Sequence, residues 1–394
     1  KIQNNTINSI DSEFNYVLSY TGKINEYVGE VTLELIDTLP YNVEIISMDN
    51  RCTLNGKTIV CRETYNITEE ANTISESFDI KLKYLNITGA EVTNNVKSKL
   101  YYGNKNVDAE DSVTDAIPYG SVIATYKDTE GNTLTSNYTN NGLAGSEYTT
   151  PQKEIFGYTF KEVNGDDKEG IYVENKELVV NYVYTKNDGN TEEAQVLKTG
   201  PEAITDINGK VNYTISGSAT VRDYVGDIKV TIKDMLPYAI DEDSSIIPNA
   251  CTYDGNKTIT CVKEYKNVTS DDYTDGIFKV DASFDLQLVF KDINSDTIVN
   301  KAQVVIDLDG NKTPSDETEV VTNVEKGNLV VKHISGNTVL EVEDTKSNYG
   351  GASYSTSHKA FYGYTLDTSN LPSNANGNYI ANSTITVVYN YIKN

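Results

Sequence analysis

An amine, an acid and a carboxamide able to act on one another recur at matched places in this sequence: Lys1, Asp37 and Asn94, then Lys198, Asp234 and Asn300. Alternation places the acids. Val31, Leu33 and Leu35 share one phase and the next residue in it is Asp37, while Ile228, Val230 and Ile232 lead in the same way to Asp234. Val92, Asn94 and Val96 share a phase, as do Ile298, Asn300, Ala302 and Val304. An acid and an amide are therefore expected inside each of two β cores, where an unpaired polar group costs roughly 1–3 kcal/mol or more. Competing acids fall on the outward phase, Glu30 with Asp227 and Asp79 with Asp285. Upstream of the acid, the lysines matched between copies at a constant offset are Lys1 and Lys198. Burial favours the neutral amine of lysine and the neutral acid of aspartate, and a neutral amine beside a polarised carboxamide can attack it and expel ammonia. The plainer alternative is a hydrogen-bonded Asp and Asn that brace a turn.

The elements that would position these residues are duplicated. Residues 15–41, NYVLSYTGKINEYVGEVTLELIDTLPY, return at 212–238 as NYTISGSATVRDYVGDIKVTIKDMLPY, an offset of 197. The match resumes after a short insertion, with Cys52 and Cys61 facing Cys251 and Cys261, and SFDIKLKYL at 77–85 facing SFDLQLVFK at 283–291. Short alternating strands separated by turns, with no helical period, argue for an antiparallel β-sandwich, here unit D. Asn-Gly and Asp-Gly between the cysteines read as hairpin turns. A two-residue turn at Asn55-Gly56 would leave Cys52 and Cys61 two residues off direct opposition, so a bulge or longer loop is expected to bring the sulfurs together. Two local disulfides imply an oxidising, extracytoplasmic setting. Zinc is the rival, but the pairs lack Cys-x-x-Cys spacing and a nearby histidine.

A second unit, M, follows each D. The segments GSVIATYKDTEGNTL, AGSEYTTPQKEIFGYTF and ELVVNYVYTKN are echoed by GNLVVKHISGNTVL, GGASYSTSHKAFYGYTL and TITVVYNYIKN. The expected order is D–M–D–M, with sandwiches at 1–104 and 195–310, smaller modules at 117–187 and 326–394, and acidic, Asn-rich connectors near 104–118 and 309–326.

Composition narrows the function. Lys+Arg 33 against Asp+Glu 58 gives a net charge of −25, which opposes a nucleic-acid partner. No apolar run is long enough for a membrane span, and no N-terminal signal is present, so any export signal or wall anchor is expected outside this sequence. Tyr 29, Phe 8 and Trp 0, with abundant Thr, Asn and Asp, lean to an all-β chain. Two histidines, His333 and His358, build no His-rich metal site, and neither a phosphate-binding glycine loop nor a Gly-x-Ser-x-Gly turn occurs. No enzyme with turnover, no cofactor and no metal is expected. Asp307-Leu308-Asp309-Gly310-Asn311 begins like a calcium loop but fails the EF-hand template, and reads better as a solvated linker.

The Lys, Asp and Asn of unit D resemble those of the Ig-like domains of Gram-positive adhesins and pilins that form intramolecular isopeptide bonds. The resemblance implies Lys1 and Lys198 as nucleophiles, Asp37 and Asp234 as proton shuttles, and Asn94 and Asn300 as acceptors. Thr-Leu-Pro after Asp37, Met-Leu-Pro after Asp234, the cysteine pair and the closing Asn also resemble a conserved-repeat domain of bacterial surface proteins. Unit M, with Gly131, Gly145, Tyr148, Gly157, Tyr158, Tyr182 and Tyr184 matched by Gly336, Gly351, Tyr354, Gly363, Tyr364, Tyr389 and Tyr391, resembles the mucin-binding-protein (MucBP) repeat, a β-rich module of ubiquitin-like, β-grasp character. The second copy departs at its first turn, where His333-Ile334-Ser335-Gly336 stands for Lys127-Asp128-Thr129-Glu130-Gly131. The resemblance implies a host mucin glycoprotein or glycan as partner, with Tyr158 and Tyr364 at turns as contact candidates. Tyr182, Tyr184, Tyr389 and Tyr391 share a strand phase and read as core. The whole reads as a monomeric, elongated section of an extracellular, wall-anchored adhesin stalk, or as a purely structural spacer for a binding tip elsewhere.

Overall fold

The computed structural model describes residues 1–69 and 71–394, Ala71 by its backbone alone. The chain is all-β. Among the described residues the one helical segment is a single 3-10 turn, Ser270–Asp272, and no helix is long and apolar enough to cross a membrane, which says nothing about a β-barrel. It divides into two compact units, Lys1–Lys186 and Asn187–Asn394, each holding one sandwich and one smaller module.

The first sandwich comprises β1 (Ile2–Gln3), β2 (Glu13–Asn25), β3 (Gly29–Thr38), β4 (Val43–Met48), β5 (Cys52–Asn55), β6 (Thr58–Ile67), β7 (Ala71–Tyr84), β8 (Glu91–Tyr102) and β9 (Lys105–Ala116). One sheet has the order β1-β2-β7-β4, the other β5-β6-β3-β8-β9. Their inner faces meet as the alternation demands: Phe14, Tyr16 and Leu18 from β2, and Phe78, Ile80 and Leu82 from β7, pack on Val31, Leu33 and Leu35 from β3. Residues 105–116, expected as connector, are instead the edge strand β9, paired along its length with β8 from Glu91↔Ala116 to Tyr102↔Lys105. The sandwich thus continues past residue 104. An edge strand with one solvated face tolerates the charges that made this segment read as a linker.

The first M module follows with β10 (Tyr119–Asp128), β11 (Tyr138–Leu143), β12 (Glu147–Thr149), β13 (Tyr158–Gly165), β14 (Glu169–Ile171) and β15 (Glu177–Lys186). Its sheet has the order β11-β10-β15-β13, with β10 and β15 parallel at the centre, while β12 and β14 form a separate two-stranded ladder. Parallel neighbours need a crossover, which in a β-grasp module a helix usually supplies. Here the crossover is extended, and tyrosine phenols hold it: Tyr182 Oη donates to the Thr150 carbonyl at 2.9 Å and Tyr184 Oη to that of Lys153 at 2.7 Å.

The second unit repeats the plan. Its sandwich contains β16 (Asn190–Thr199), β17 (Ala203–Ile204), β18 (Val211–Arg222), β19 (Gly226–Met235), β20 (Cys251–Tyr253), β21 (Thr258–Val268), β22 (Phe278–Leu288), β23 (Thr297–Leu308), β24 (Asn311–Pro314) and β25 (Thr318–Val324). The sheets run β16-β18-β22 and β17-β25-β23-β19-β21-β20, with β24 also on β23. The stretch expected as a second connector, 309–326, is therefore mostly paired strand. The segment compared with a calcium loop is the β23–β24 hairpin, in which Leu308 pairs with Asn311 around Asp309 and Gly310, both at positive φ. The second M module has β26 (Lys326–Ser335), β27 (Thr338–Val342), β28 (Lys346–Tyr349), β29 (Ser353–Ser355), β30 (Tyr364–Leu366), β31 (Asn376–Asn378) and β32 (Thr384–Lys393), again with a parallel central pair, β26 and β32.

Both disulfides, Cys52–Cys61 and Cys251–Cys261, are formed, and the cysteines of each pair are direct cross-strand partners. No bulge is needed. Asn55 pairs with Thr58, so the first hairpin turns at Gly56-Lys57, one residue later than the Asn-Gly signal suggested, and Gly56 takes the required positive φ of 60°.

Within each unit the sandwich grips its M module through the same joint. Ile10 N–H donates to the Ala144 carbonyl at 2.8 Å, and Ile207 N–H to the Gly350 carbonyl at 2.9 Å. Asn208 Nδ2 adds a bond to the Gly351 carbonyl at 2.9 Å.

Candidate functional site

The buried trio is assembled in both sandwiches by the same geometry. β3 and β8 are neighbours, and Asp37 lies opposite Val96, which puts Asn94 one same-face step along β8. In the second sandwich Asp234 lies opposite Ala302 on β23, and Asn300 is again the next same-face residue. Asp37, Asn94, Asp234 and Asn300 are each 0% exposed, whereas the out-of-phase acids Glu30, Asp79, Asp227 and Asp285 face solvent. The lysine arrives from the facing sheet. Lys198 sits on β16 opposite Ile215 of β18, and Lys1 directly precedes β1, which pairs with β2.

Each amine reaches its acid. Lys1 Nζ is hydrogen-bonded to Asp37 Oδ1, and Lys198 Nζ to Asp234 Oδ1, with all four side chains closed to solvent. Asn94 Nδ2 donates to Asp37 Oδ2 at 3.3 Å. The amide of Asn300 and Oδ2 of Asp234 have no hydrogen-bond partner among the described residues. Below each amine lies an aromatic floor, with Lys1 Nζ 4.4 Å from the Tyr16 ring centroid and Lys198 Nζ 4.8 Å from that of Tyr213. These tyrosines were not among the residues singled out by the pairing of acid, amide and lysine. Their signal was the Asn-Tyr pair repeated at 15–16 and 212–213, in phase with the core residues of β2 and β18.

Burial governs the electrostatics. Desolvation brings the Lys1 amine down to about 8 against the pull of Asp37, and lowers Lys198 against Asp234. It raises Asp37 and Asp234 above the ordinary carboxylate range, although the paired lysines oppose it. Both shifts favour the uncharged pair, the state in which the nitrogen has a lone pair to give and the acid a proton to move.

The first site holds one more acid. Asp115, on β9 opposite Val92, is buried and accepts a hydrogen bond from Tyr16 Oη at 3.0 Å. Its place in the expected connector concealed it.

In the M modules the tyrosines on the central strand are structural. Tyr182 and Tyr184 of β15 and Tyr389 and Tyr391 of β32 are buried. The turn tyrosines Tyr158 and Tyr364 are half-buried and pack against the module cores, so they present only part of their rings outward. Where the first module stacks Tyr126 on Tyr182 at 5.4 Å, the second stacks His333 on Tyr389 at 5.6 Å. His333 is fully buried, with Nδ1 3.1 Å from Tyr391 Oη and Nε2 3.1 Å from Glu343 Oε1. The departure at the first turn is therefore a core exchange. Among the described residues no cluster of His, Cys, Asp and Glu could hold a metal ion.

The MucBP domain model matches residues 121–185 and 330–391, the two M modules. Internalin J of Listeria monocytogenes serotype 4b (strain F2365) is 28% identical over 329 residues, which is 78% of this chain and 33% of that protein. The chain thus spans about a third of the length of this curated relative. Among solved structures, BcpA, the major pilin subunit of Bacillus cereus, aligns over 70% of this chain and 100% of its own at 14% identity and a TM-score of 0.28. The full-length major pilin SpaD of Corynebacterium diphtheriae aligns over 95% of this chain and 97% of its own at 13% identity and a TM-score of 0.23.

Proposed function

We propose that this chain is a section of an extracellular stalk of a Gram-positive surface adhesin. In it, each sandwich locks itself with a Lys–Asn isopeptide bond and the MucBP modules meet mucin-type glycoproteins. The observation that carries the locking is the solvent-free Lys198–Asp234 pair beside the unpartnered amide of Asn300. A buried carboxamide without partners costs about 1–3 kcal/mol, and condensation with the lysine replaces the free amine and the amide NH2 by one secondary amide N–H, leaving fewer buried polar hydrogens to satisfy. The bond would join β16 of one sheet to β23 of the other, and in the first sandwich the start of β1 to β8, so tension along the chain would load a covalent link. Disulfides closing a hairpin in each sandwich fit an oxidising exterior. Intact-mass measurement with peptide mapping tests the locking: each bond removes about 17 Da as ammonia and joins the Lys1 peptide to the Asn94 peptide, or Lys198 to Asn300. A chain at its full calculated mass, corrected for two disulfides, overturns it.

Mucin contact rests on the MucBP matches at 121–185 and 330–391. A second reading, a spacer with no ligand of its own, is favoured by the inward commitment of the module tyrosines. The full chain on immobilised mucin separates the two. Saturable retention that falls when Tyr158 and Tyr364 are changed to Ala supports contact, and no retention leaves the spacer.

A further inference from the structure

The two sandwiches present the same lysine, acid and amide but differ beside them. On β9, Asp115 stands opposite Val92, two residues before the acceptor Asn94. On β25, the corresponding place opposite Ile298, two residues before Asn300, is taken by Thr322. Both side chains are buried. Asp115 belongs to the lysine's surroundings, because Tyr16, which carries Lys1 on its ring face, donates its hydroxyl to Asp115 Oδ2. Thr322 carries no charge and spends its hydroxyl on the Pro201 carbonyl at 2.8 Å. Lys1 is therefore faced by two buried carboxyls, Asp37 and Asp115, where Lys198 is faced by one, Asp234. The remaining groups around Lys1 are the phenols of Tyr16 and Tyr84, the latter donating to Tyr16 Oη at 3.3 Å, and the exposed Asp111, whose carboxylate lies 2.6 Å from the α-amine of Lys1.

The condensation needs the amine uncharged. The Nζ lone pair attacks Cγ of the asparagine, the Nζ–Cγ bond forms and the Cγ–Nδ2 bond breaks. One Nζ proton passes through the aspartate carboxyl to Nδ2, which leaves as ammonia. Nothing is oxidised or reduced. An ammonium has no lone pair, and Asp115, although burial raises it, favours the ammonium wherever it is ionised. Resting on the isopeptide reading above, we propose that Asp115 is a positioning residue for the Lys1 proton, and that it makes the first sandwich's cross-link the slower of the two, Thr322 leaving the second to close early. The chain then locks in a set order, second sandwich before first.

The test follows both bonds in the full chain, freshly synthesised in a cell-free system and quenched at intervals, by intact mass and peptide mapping. The expected result is that the Lys198–Asn300 peptide link accumulates about tenfold faster than the Lys1–Asn94 link, the effect of one unit in the amine's proton affinity. Asp115→Asn and Asp115→Thr should each speed the first link by a similar factor, leaving the second unchanged. The rate of the first link should rise with pH, and Asp115→Asn should move that profile to lower pH, which a purely structural loss would not do. Thr322→Asp gives the reciprocal slowing of the second link. Equal wild-type rates, or an Asp115→Asn chain with an unmoved rate and profile, overturn the proposal while both bonds still form. Neither bond forming in the wild-type chain overturns the isopeptide reading itself, and this proposal with it.

Discussion

Lys198 and Asp234 touch inside the second sandwich with neither side chain reaching solvent, although they come from different sheets. An amine and an acid so placed lose their hydration, and removing one partner strands the other, at about 3–5 kcal/mol for a buried pair. Asp234→Ala is therefore expected to abolish the mass loss at this site and to lower the stability of the second sandwich by several kcal/mol in urea. Lys198→Met with Asp234→Leu should recover part of that stability without restoring the link. An Asp234→Ala chain that still joins Lys198 to Asn300 would remove the acid from the chemistry.

The depressed amine gives a pH signature once the acceptor is removed. In an Asn94→Ala chain Lys1 stays an amine, at about 8 in the folded state against 10.5 unfolded. The unfolded chain then binds more protons between those values, so stability from this group rises with pH across about 8 to 10.5. Below that window the burial penalty is fully present. Comparison with Asn94→Ala/Lys1→Met isolates the effect from the ionising tyrosines. The urea midpoint of the single variant should gain on the double variant as pH rises from 8 to 10.5, and parallel midpoints would refute the shift.

The inward phase of Asp37 and Asp234 was legible because strand side chains alternate strictly, so one run of valines and leucines fixes every other position on it. Lys1 and Lys198 were legible only through duplication. Strand β9 was not, since an edge strand with a solvated face carries the Asp, Glu and Asn of a linker, and its one inward acid, Asp115, went unread with it. The hairpin register slipped by one residue because Asn55-Gly56 carries a strong turn signal while the ladder places Gly56 first in the turn. His333 was visible as a departure between the copies, but its exchange with Tyr126 in a stacked core pair depends on contacts across the parallel strands.

Each disulfide closes a short loop, with the cysteines separated by 9 and 10 residues. In the chain-entropy account such a loop contributes about 2.7 kcal/mol. Reduction under native conditions should lower the stability of each sandwich by about that amount without unfolding it, since the β5–β6 and β20–β21 ladders and the buried Ile59 and Ile259 stay in place when the S–S bond is cut. Calorimetry with and without reductant measures the change. A loss well beyond that amount would mean the hairpin nucleates the sheet.

The joint between sandwich and M module packs the side chains of the 206–208 turn against a glycine. Gly351 holds φ at +86°, and a Cβ there would lie 2.1 Å from Asp206 Oδ1, while Gly145 at +89° would bring its Cβ to 3.0 Å from Ile10 Cγ1. Gly351→Ala thus combines backbone strain of about 1–3 kcal/mol with a steric clash against the 206–208 turn. The Asp206 and Asn208 side chains must give way, which loosens the Asn208 bond to the Gly351 carbonyl. The expected outcome is a weakened joint with both modules still folded: amide exchange should quicken at Ile207, whose N–H is bonded across the joint, while the cores of β18 and β32 stay protected. Gly145→Ala should do the same more mildly at Ile10, where the clash is with the branch of an aliphatic side chain. If Gly351→Ala left Ile207 as protected as before, the joint would be a passive contact, and the sandwich and its module would not act as one stiff segment.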